Sequence, residues 1–317
     1  MKPYRYLFGP VPSRRFGRSL GVDLTPLKTC SFDCVFCQLG RTKQKTVQRN
    51  AYVPIDAVIK ELDEWLTSDG HADYITLSGS GEPTLHTEFG AVLAFLKKVS
   101  KPSVLLTNGS LLWHPQVSQD AALADIVKIS LSAWNQHSFE WINRPHKDIS
   151  FGKLVEGQKT FRKIFTGQLW MEVFLLFGMN SRPADVSKLA AVAKTIKPDR
   201  VQLNSVARPP AEEFAAALTH DRMQALCPLF DPPAEIIANF RTPFTDSIQT
   251  TETDILNMLQ RRPSTNDQIA SAFNMHINEV SKYLGKLIKT NAIHTERKDL
   301  EIYYSAIFNT KDKTEIV

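Results

Sequence analysis

The stretch CSFDCVFC, residues 30–37, contains three of the four cysteines of the chain at the spacing Cys-x-x-x-Cys-x-x-Cys. Its hydrophobic residues follow neither the helical nor the strand period, so we expect a loop. Three thiolates on one loop can reach one metal centre and leave a coordination position unclaimed. The remaining cysteine, Cys227, lies far along the chain in an apolar run. An open coordination position favours a reactive metal centre over a closed structural one.

Two kinds of metal centre are compatible with this loop. Iron–sulfur cubanes normally take four cysteine thiolates, whereas structural zinc sites close with four Cys or His ligands. One alternative is therefore a cluster in which an iron is left open to a small ligand. The other is a zinc site completed by a distant histidine. Either way, clustered cysteines indicate a metal site in a reducing compartment rather than a disulfide scaffold.

A second motif, SGSGEPTL at residues 78–85, follows the short β-rich run 73–77. Glycines at the end of a strand allow a tight turn and expose backbone groups to a ligand. The carboxylate of Glu82 can accept a hydrogen bond from a ligand ammonium group. Gly81 and Glu82 therefore predict a second part of the same binding site.

The segments between these motifs alternate between strand and helix patterns. Strands are predicted at residues 19–25, 73–77, 103–106, 126–131, 169–177 and 200–203, and helices from Pro54, at 87–99, at 151–165 and at 184–196. About six strands that alternate with helices predict parallel βα units. In such sheets the ligand residues follow the C-terminal ends of the strands, where Asn108, Ser130 and Asn204 are expected. These residues, the cysteine loop and the Gly81–Glu82 turn should face one mouth.

The C-terminal part of the chain has a different pattern. Residues 228–244 are rich in proline and predict a linker. Helices are expected at 254–260, from 265 and at 278–289, and strands at 292–295 and 302–306. This order resembles a winged helix-turn-helix domain. Its last helix should turn lysines outward, namely Lys282, Lys286 and Lys289, which favours a nucleic-acid partner. Residues 251–317 nevertheless contain nine basic and nine acidic residues, so a protein partner stays an alternative.

The composition is that of a globular protein, with 43% hydrophobic and 22% charged residues. A formal net charge of +5 permits an anionic partner without requiring one. The sequence shows neither an apolar N-terminal signal core nor an apolar run long enough to span a membrane. We therefore expect a cytoplasmic protein that does not bind a membrane.

Taken in order, these motifs resemble those of the radical S-adenosylmethionine superfamily. The cysteine spacing, with Phe36 before the last cysteine, is similar to its cluster loop, and Gly81-Glu82-Pro83 is similar to its Gly-Gly-Glu-Pro turn. Ser80 replaces the first glycine of that turn. FGPVPSRR at 8–15 and INRPH at 142–146 resemble the wyosine-synthase-like branch. That branch carries a second cluster on additional cysteines, which Cys227 alone cannot supply.

The resemblance implies an α/β fold, namely a partial (βα)6 TIM-like barrel followed by a small C-terminal winged-helix domain. The expected boundaries are a barrel domain at 1–240, a linker at 241–250, the winged helix-turn-helix-like domain at 251–310 and a tail at 311–317.

The resemblance also implies two cofactors, a 4Fe–4S cluster and S-adenosylmethionine. The implied ligands are Cys30, Cys34 and Cys37 for the cluster, and Phe36, Gly81, Glu82, Ser130 and Asn204 for S-adenosylmethionine. Phe36 matches a position that meets the adenine, whereas Gly81 and Glu82 match the turn that binds the methionine amino group. Ser130 and Asn204 match strand-end positions that touch the cofactor.

The implied reaction is reductive cleavage of S-adenosylmethionine to a 5'-deoxyadenosyl radical that abstracts hydrogen from a substrate. The electron donor would be a protein such as flavodoxin or ferredoxin. We expect an anionic substrate, such as a tRNA-linked group, because several basic or polar residues are expected near the mouth: Arg14, Arg15, Asn108, Arg144, His146 and Arg208. The alternative functions are an iron–sulfur redox sensor that binds DNA and a structural zinc protein.

Overall fold

The computed structural model describes residues 4–13, 16–68, 71–237, 252–273, 275–298 and 301–307. Within them the strands are β1 (Leu7–Ser13), β2 (Gly17–Val22), β3 (Thr29–Cys30), β4 (Gln44–Lys45), β5 (Tyr74–Leu77), β6 (Ser103–Leu106), β7 (Ile126–Ser130), β8 (Gln168–Phe174), β9 (Arg200–Asn204), β10 (Glu235–Ile236), β11 (Ser264–Thr265), β12 (Ile293–Lys298) and β13 (Glu301–Ala306). The α-helices are α1 (Ile55–Thr67), α2 (Phe89–Leu96), α3 (Pro115–Ala121), α4 (Gln136–Asn143), α5 (Phe151–Ile164), α6 (Pro183–Ile196), α7 (His220–Leu226), α8 (Glu252–Arg261), α9 (Asn266–Phe273) and α10 (Ile277–Lys289).

The main sheet has the order β1-β2-β5-β6-β7-β8-β9-β10 within the described part of the chain. β1 pairs with β2 in antiparallel fashion, and each later pair of neighbours is parallel. Helices connect the successive parallel strands, as parallel pairing requires. This architecture confirms the predicted α/β fold of partial TIM-barrel type.

Alternation along the strands separates an outer face from an inner face. In β7, Val127 and Ile129 are buried in the large core that includes the helices, whereas Lys128 and Ser130 point to the opposite face, because successive strand residues alternate. At the lower end of the inner face, Phe16 stacks on Trp170 with ring centroids 5.1 Å apart. The inner face therefore has an aromatic floor and a polar upper layer.

The C-terminal elements form a smaller unit with its own core. Helices α8, α9 and α10 pack on a three-stranded sheet of order β11-β13-β12. Its apolar cluster includes Ile255, Ile269, Val280 and Leu284, and it also takes in Val11 from β1. The C-terminal unit is thus packed on the β1–β2 hairpin of the barrel. Its three helices and sheet follow the predicted order, and the assignment as a winged helix stays a prediction.

Most predicted elements lie within a few residues of the observed ones. The first predicted strand, 19–25, is observed as β2 from Gly17, and it forms an antiparallel hairpin with β1 whose register shifts between Phe8 and Val11. The hairpin packs against the C-terminal unit, and this contact cannot be predicted from the local sequence. The predicted linker at 241–250, the tail at 311–317 and the predicted substrate residues Arg14 and Arg15 lie outside the described residues. No helix in the described part of the chain is both long and apolar enough to cross a membrane.

Candidate active site

The C-terminal ends of neighbouring parallel strands meet at one mouth, as the βα pattern predicted. Ser130 at the end of β7 is in register with Glu172 of β8, and Phe174 of β8 is in register with Asn204 at the end of β9. Side chains from these ends therefore face a shared space. Ser130 and Asn204, predicted as cofactor contacts, both line it.

The cysteine loop lies beside this mouth and is held by backbone hydrogen bonds. β3, which ends at Cys30, pairs with β4. Asp33 N donates to Asn143 O at 3.0 Å and Val35 N donates to Ile142 O at 3.0 Å. The loop is thus clamped from one side by β4 and from the other by the end of α4.

Each of the three cysteine sulfurs in the loop receives a separate N–H donor. Asn108 Nδ2 lies 3.5 Å from Cys30 Sγ, Asn143 Nδ2 lies 3.3 Å from Cys34 Sγ, and Lys28 Nζ lies 3.6 Å from Cys37 Sγ. Such donors stabilise negative charge on sulfur and tune the potential of iron–sulfur centres. The donor set therefore fits a thiolate-bound cluster.

In the protein without a bound metal, burial disfavours the thiolate forms of Cys30 and Cys34. It raises the pKa of Cys30 to about 12, with the Glu82 carboxylate as the next contribution. Burial also raises the pKa of Cys34 well above its usual 9.0. Because metal ligation requires the thiolate, a cluster bound by this loop would offset that cost through its own positive charge.

The described residues contain no group of three His, Cys, Asp or Glu side chains placed to hold one metal ion. A 4Fe–4S cubane requires a different arrangement of ligands from a single metal ion, because each of its cysteine thiolates binds a separate iron. The three sulfurs then need to surround a cluster rather than meet at a point.

The turn that contains Gly81 and Glu82 packs directly on the cysteine loop. Lys28 N donates to Ser80 O at 2.8 Å and Glu82 N donates to Thr29 O at 3.0 Å. A Cβ atom at position 81 would collide with the carbonyl oxygen of Thr29. Glycine at this position is therefore required for the close approach of the turn to the residue before Cys30.

The Glu82 carboxylate is 3% exposed and joins the turn to the end of β6. Its Oε1 accepts from Thr84 N at 3.1 Å, Thr84 Oγ1 at 2.6 Å and Thr107 Oγ1 at 2.6 Å. Its Oε2 accepts from Asn108 N at 2.8 Å. Burial raises the pKa of Glu82, and these hydrogen bonds work against that shift. Because a carboxylate has about four lone-pair directions, with two on each oxygen, Oε2 keeps capacity for a ligand donor.

Ser80, which replaces a glycine of the family pattern, has a specific partner. Asp23 Oδ1 accepts from Ser80 N at 3.0 Å, and Asp23 Oδ2 accepts from Ser80 Oγ at 2.6 Å. Asp23 is buried at 7% exposure. The serine thus fixes the turn to the residue that follows β2.

A cavity of about 390 Å³ opens at the mouth. Its lining comes from the strand ends, the cysteine loop and the C-terminal unit: Phe8, Val11, Ser13, Phe16, Ser19, Gly21, Phe36, Cys37, Gln38, Thr76, Ser78, Gly79, Leu106, Lys128, Ser130, Ser132, Glu172, Phe174, Asn204, Ser205, Val206, Ala207, Arg208, Met258, Arg261 and Arg262. Of the predicted site residues, it brings together Phe36, Cys37, Ser130, Asn204 and Arg208. The cavity is therefore bounded by both units of the chain.

Phe36 is placed at the cavity by an aromatic stack. Its ring lies 4.0 Å from the ring of Phe174, centroid to centroid, with an interplanar angle of 8°. Because β8 is a rigid element, this contact fixes the orientation of the residue next to Cys37. Phe36 also borders the cavity, in agreement with a role beside a planar ligand.

A buried ion pair in the upper layer of the barrel was not predicted from the sequence. Lys128 Nζ contacts Glu172 Oε2, and both side chains line the cavity. Asn204 Nδ2 donates to Glu172 Oε1 at 2.7 Å. Charged residues inside apolar parallel strands are rare and mark functional positions. The sequence did contain this signal: a lysine within the apolar run IVKIS, residues 126–130, and a glutamate within the apolar run LWMEVF, residues 169–174.

Of the described residues predicted to meet the substrate, Arg208 lines this cavity, whereas Asn108, Arg144 and His146 do not. Asn108 supports Cys30 and Ser31. The Arg144 guanidinium contacts Glu212, which also pairs with Arg41 at 2.8 Å. His146 N donates to Ser31 O at 2.8 Å. The INRPH segment thus supports the cysteine loop from behind, and a direct substrate role for Arg144 and His146 stays a prediction.

Comparison with known proteins places these features in a family. The model of the Radical SAM superfamily matches residues 24–190, which include the cysteine loop and the Gly81–Glu82 turn. The chain is 38% identical over 297 residues to GTPase Obg of Brachyspira hyodysenteriae, covering 92% of this chain and 43% of that protein. It is 28% identical over 313 residues to UPF0026 protein MJ1312 of Methanocaldococcus jannaschii, covering 96% of this chain and 97% of that protein. The chain therefore spans less than half of the first relative and nearly all of the second.

The fold also resembles a solved structure of TYW1 with a lysine-pyruvate adduct bound. The TM-score is 0.51 at 18% sequence identity, and the match covers 72% of this chain and 76% of that one. At this identity the likeness concerns the fold.

Proposed function

Because the chain belongs to the radical S-adenosylmethionine superfamily, we propose that it binds a 4Fe–4S cluster and S-adenosylmethionine and abstracts hydrogen from an anionic substrate. The observation that carries this proposal is the cysteine loop, in which each of three sulfurs has its own N–H donor beside the mouth of a parallel barrel. When bound, the cofactors supply the reductive cleavage of a carbon–sulfur bond that yields methionine and a 5'-deoxyadenosyl radical.

The chain supplies ligands, orientation and shielding in this proposal. Cys30, Cys34 and Cys37 hold the cluster. The Gly81–Glu82 turn receives the methionine amino group. Glu82 Oε2 already accepts a hydrogen bond from Asn108 N and can accept a second one from that amino group. Phe36 borders the adenine, and its stack on Phe174 keeps it in place.

The charges of the cavity support an anionic substrate. Four basic side chains, Lys128, Arg208, Arg261 and Arg262, and one acidic side chain, Glu172, are among its lining residues. An excess of basic groups in a partly enclosed site attracts carboxylate or phosphate groups. We propose a tRNA-linked substrate as the first class to test.

Two macromolecular partners belong to this proposal. One is a reducing protein such as flavodoxin or ferredoxin. The other is nucleic acid, bound by the C-terminal unit as a winged helix-turn-helix domain. The exposure of Lys282, Lys286 and Lys289 on α10 supports it. Retention of tRNA on a filter that falls as salt rises would support nucleic-acid binding, whereas retention that does not depend on salt would redirect the search to a protein partner.

The test uses full-length protein reconstituted without oxygen. Iron and sulfide content is measured first, followed by 5'-deoxyadenosine formed from S-adenosylmethionine after chemical reduction. Cys37→Ala should lose both iron and product. The matched control is Cys227→Ala, because Cys227 is buried in the large core of the barrel and its Sγ donates to Met223 O at 3.4 Å. This control should keep iron and product.

Each other outcome assigns a different function. A loaded cluster that fails to cleave S-adenosylmethionine, with tRNA present, would overturn the enzymatic proposal and favour a redox-sensing DNA-binding regulator. Stoichiometric zinc without iron would overturn both. Equal loss of iron in Cys37→Ala and Cys227→Ala would show that the loop is not the cluster site.

A further inference from the structure

The C-terminal unit contributes directly to the wall of the reaction cavity. Met258, Arg261 and Arg262, at the end of α8 and just beyond it, line the same cavity as Phe36 and Cys37. Two further hydrogen bonds hold the unit at the mouth: Tyr303 Oη donates to Ala207 O at 3.0 Å, and Lys298 Nζ donates to Arg208 O at 3.2 Å. The unit is therefore placed to act on the cavity itself.

Arg261 makes the most specific contact between the two units. Its side chain is 11% exposed, and its Nε lies 3.2 Å from Asp23 Oδ2. Its guanidinium carbon lies 4.7 Å from the ring centroid of Phe8, and its Nη1 donates to Asn257 O at 3.0 Å. These three contacts leave the guanidinium little freedom, so it fixes the carboxylate that it contacts.

The Asp23 carboxylate, which Arg261 contacts, also holds the Gly81–Glu82 turn. Asp23 accepts from both the backbone N and the Oγ of Ser80. Ser80 O in turn accepts from Lys28 N at 2.8 Å. A continuous set of contacts therefore runs from α8 through Arg261, Asp23 and Ser80 to the base of the cysteine loop.

We infer that Arg261 is a positioning residue through which the docked C-terminal unit holds the Ser80–Glu82 turn in the geometry that binds S-adenosylmethionine. The inference rests on the proposed function, because it assigns the turn to that ligand. It gives the C-terminal unit a role inside the reaction cavity, separate from any outside partner of α10.

Linkage makes this relation reciprocal. If docking of the C-terminal unit strengthens ligand binding at the turn, ligand binding must strengthen docking by the same factor. Addition of S-adenosylmethionine should therefore slow amide exchange in α8 as well as in the turn. A residue that merely stabilised the fold would not make ligand binding at the turn slow amide exchange in α8.

The first experiment measures the turn without any cofactor. Amide hydrogen exchange is followed in apo-protein for wild type, Arg261→Met and Arg200→Met. Arg200 is a matched control, because its guanidinium lies 4.9 Å from the Trp170 ring and 3.8 Å from Glu235 but at the exposed start of β9, the end of the strand opposite the mouth. Exchange at Ser80 should rise about tenfold in Arg261→Met and stay unchanged in Arg200→Met. Equal exchange in both variants would overturn the inference.

The second experiment measures the ligand. In Arg261→Met, the Kd and KM for S-adenosylmethionine should rise about tenfold, measured by direct binding and by 5'-deoxyadenosine formation without any added substrate. Arg261→Lys, which keeps the charge, should recover part of the affinity and shows whether any effect of Arg261→Met is a folding defect. An unchanged KM beside a lower maximal rate would overturn the positioning role.

The two proposals fail in different ways. If wild-type protein does not cleave S-adenosylmethionine, the proposed function fails, while the exchange experiment on apo-protein still decides whether Arg261 controls the turn. If wild type cleaves S-adenosylmethionine but Arg261→Met matches Arg200→Met in amide exchange and wild type in KM, only the role of Arg261 fails.

Discussion

Glycine at position 81 decides how closely the Ser80–Glu82 turn approaches the cysteine loop. A methyl group there would meet the Thr29 carbonyl, which is backbone and cannot rotate away. Gly81→Ala should therefore lower the free energy of unfolding by about 1–3 kcal/mol. Gly152→Ala is the control, because a Cβ atom at that helical position meets nothing within 4 Å, and it should stabilise by about 0.5–1 kcal/mol. Urea denaturation of both variants checks the pair, and a neutral Gly81→Ala would contradict the close approach.

His86 makes the stability of the barrel depend on pH. It is fully buried, its Nε2 donates to Val53 O at 2.9 Å, and its Nδ1 accepts from Glu88 N at 3.0 Å. Burial lowers the pKa of His86 below its usual 6.5. The unfolded chain therefore binds the proton more readily than the folded one. The resulting stability is complete above the unfolded pKa and is lost as the pH falls below it.

The free energy of unfolding of wild type should accordingly decrease as the pH is lowered from about 7 to about 5. His86→Gln should be less stable at neutral pH but show a smaller decrease over this range. His137→Gln changes an exposed histidine and should keep the wild-type slope. Parallel slopes for wild type and His86→Gln in urea titrations at several pH values would rule out this source of the pH dependence.

At the level of elements, the adjacent strands β7 and β8 share a buried charge pair. Lys128→Met leaves the Glu172 carboxylate in place without its ammonium, which should cost about 3 kcal/mol. Lys128→Met with Glu172→Gln removes both charges, and Gln can still accept from Asn204, so most of that loss should be recovered. Denaturant midpoints measure both effects. A double variant as unstable as the single one would show that packing, rather than the buried charge, is responsible.

The main strands were predictable because each is a short apolar run between turn signals. The prediction for β6 was 103–106, and its observed bounds are Ser103–Leu106. The two-residue strands β3, β4 and β10 carry no such pattern, because their pairing is stabilised by surrounding loops. The cysteine loop and the Gly81–Glu82 turn were predicted from local motifs. Asp23 and Arg261 were not, since their partners lie 57 and 238 residues away in sequence.

At the level of the whole molecule, the two units share part of their packing and should unfold together. Val11 of the barrel hairpin is buried in the C-terminal core, and Tyr303 of that unit donates to the barrel backbone. Contacts of this kind couple the stability of neighbouring units. All five tryptophans, Trp65, Trp113, Trp134, Trp141 and Trp170, precede the C-terminal unit in the chain. Tryptophan fluorescence therefore reports the barrel alone, whereas amide exchange in α10 reports the C-terminal unit.

In wild type the two signals should change at the same urea concentration. Val11→Ala with Tyr303→Phe removes apolar contact and a hydrogen bond from the interface, together worth about 2–3 kcal/mol. We expect α10 to lose protection before the fluorescence changes, because the C-terminal unit has the smaller core. Ile302→Ala, at a side chain that is 51% exposed, should leave the two transitions together. Transitions that already differ in wild type, or that stay together in the double variant, would show that the units are not coupled through this interface.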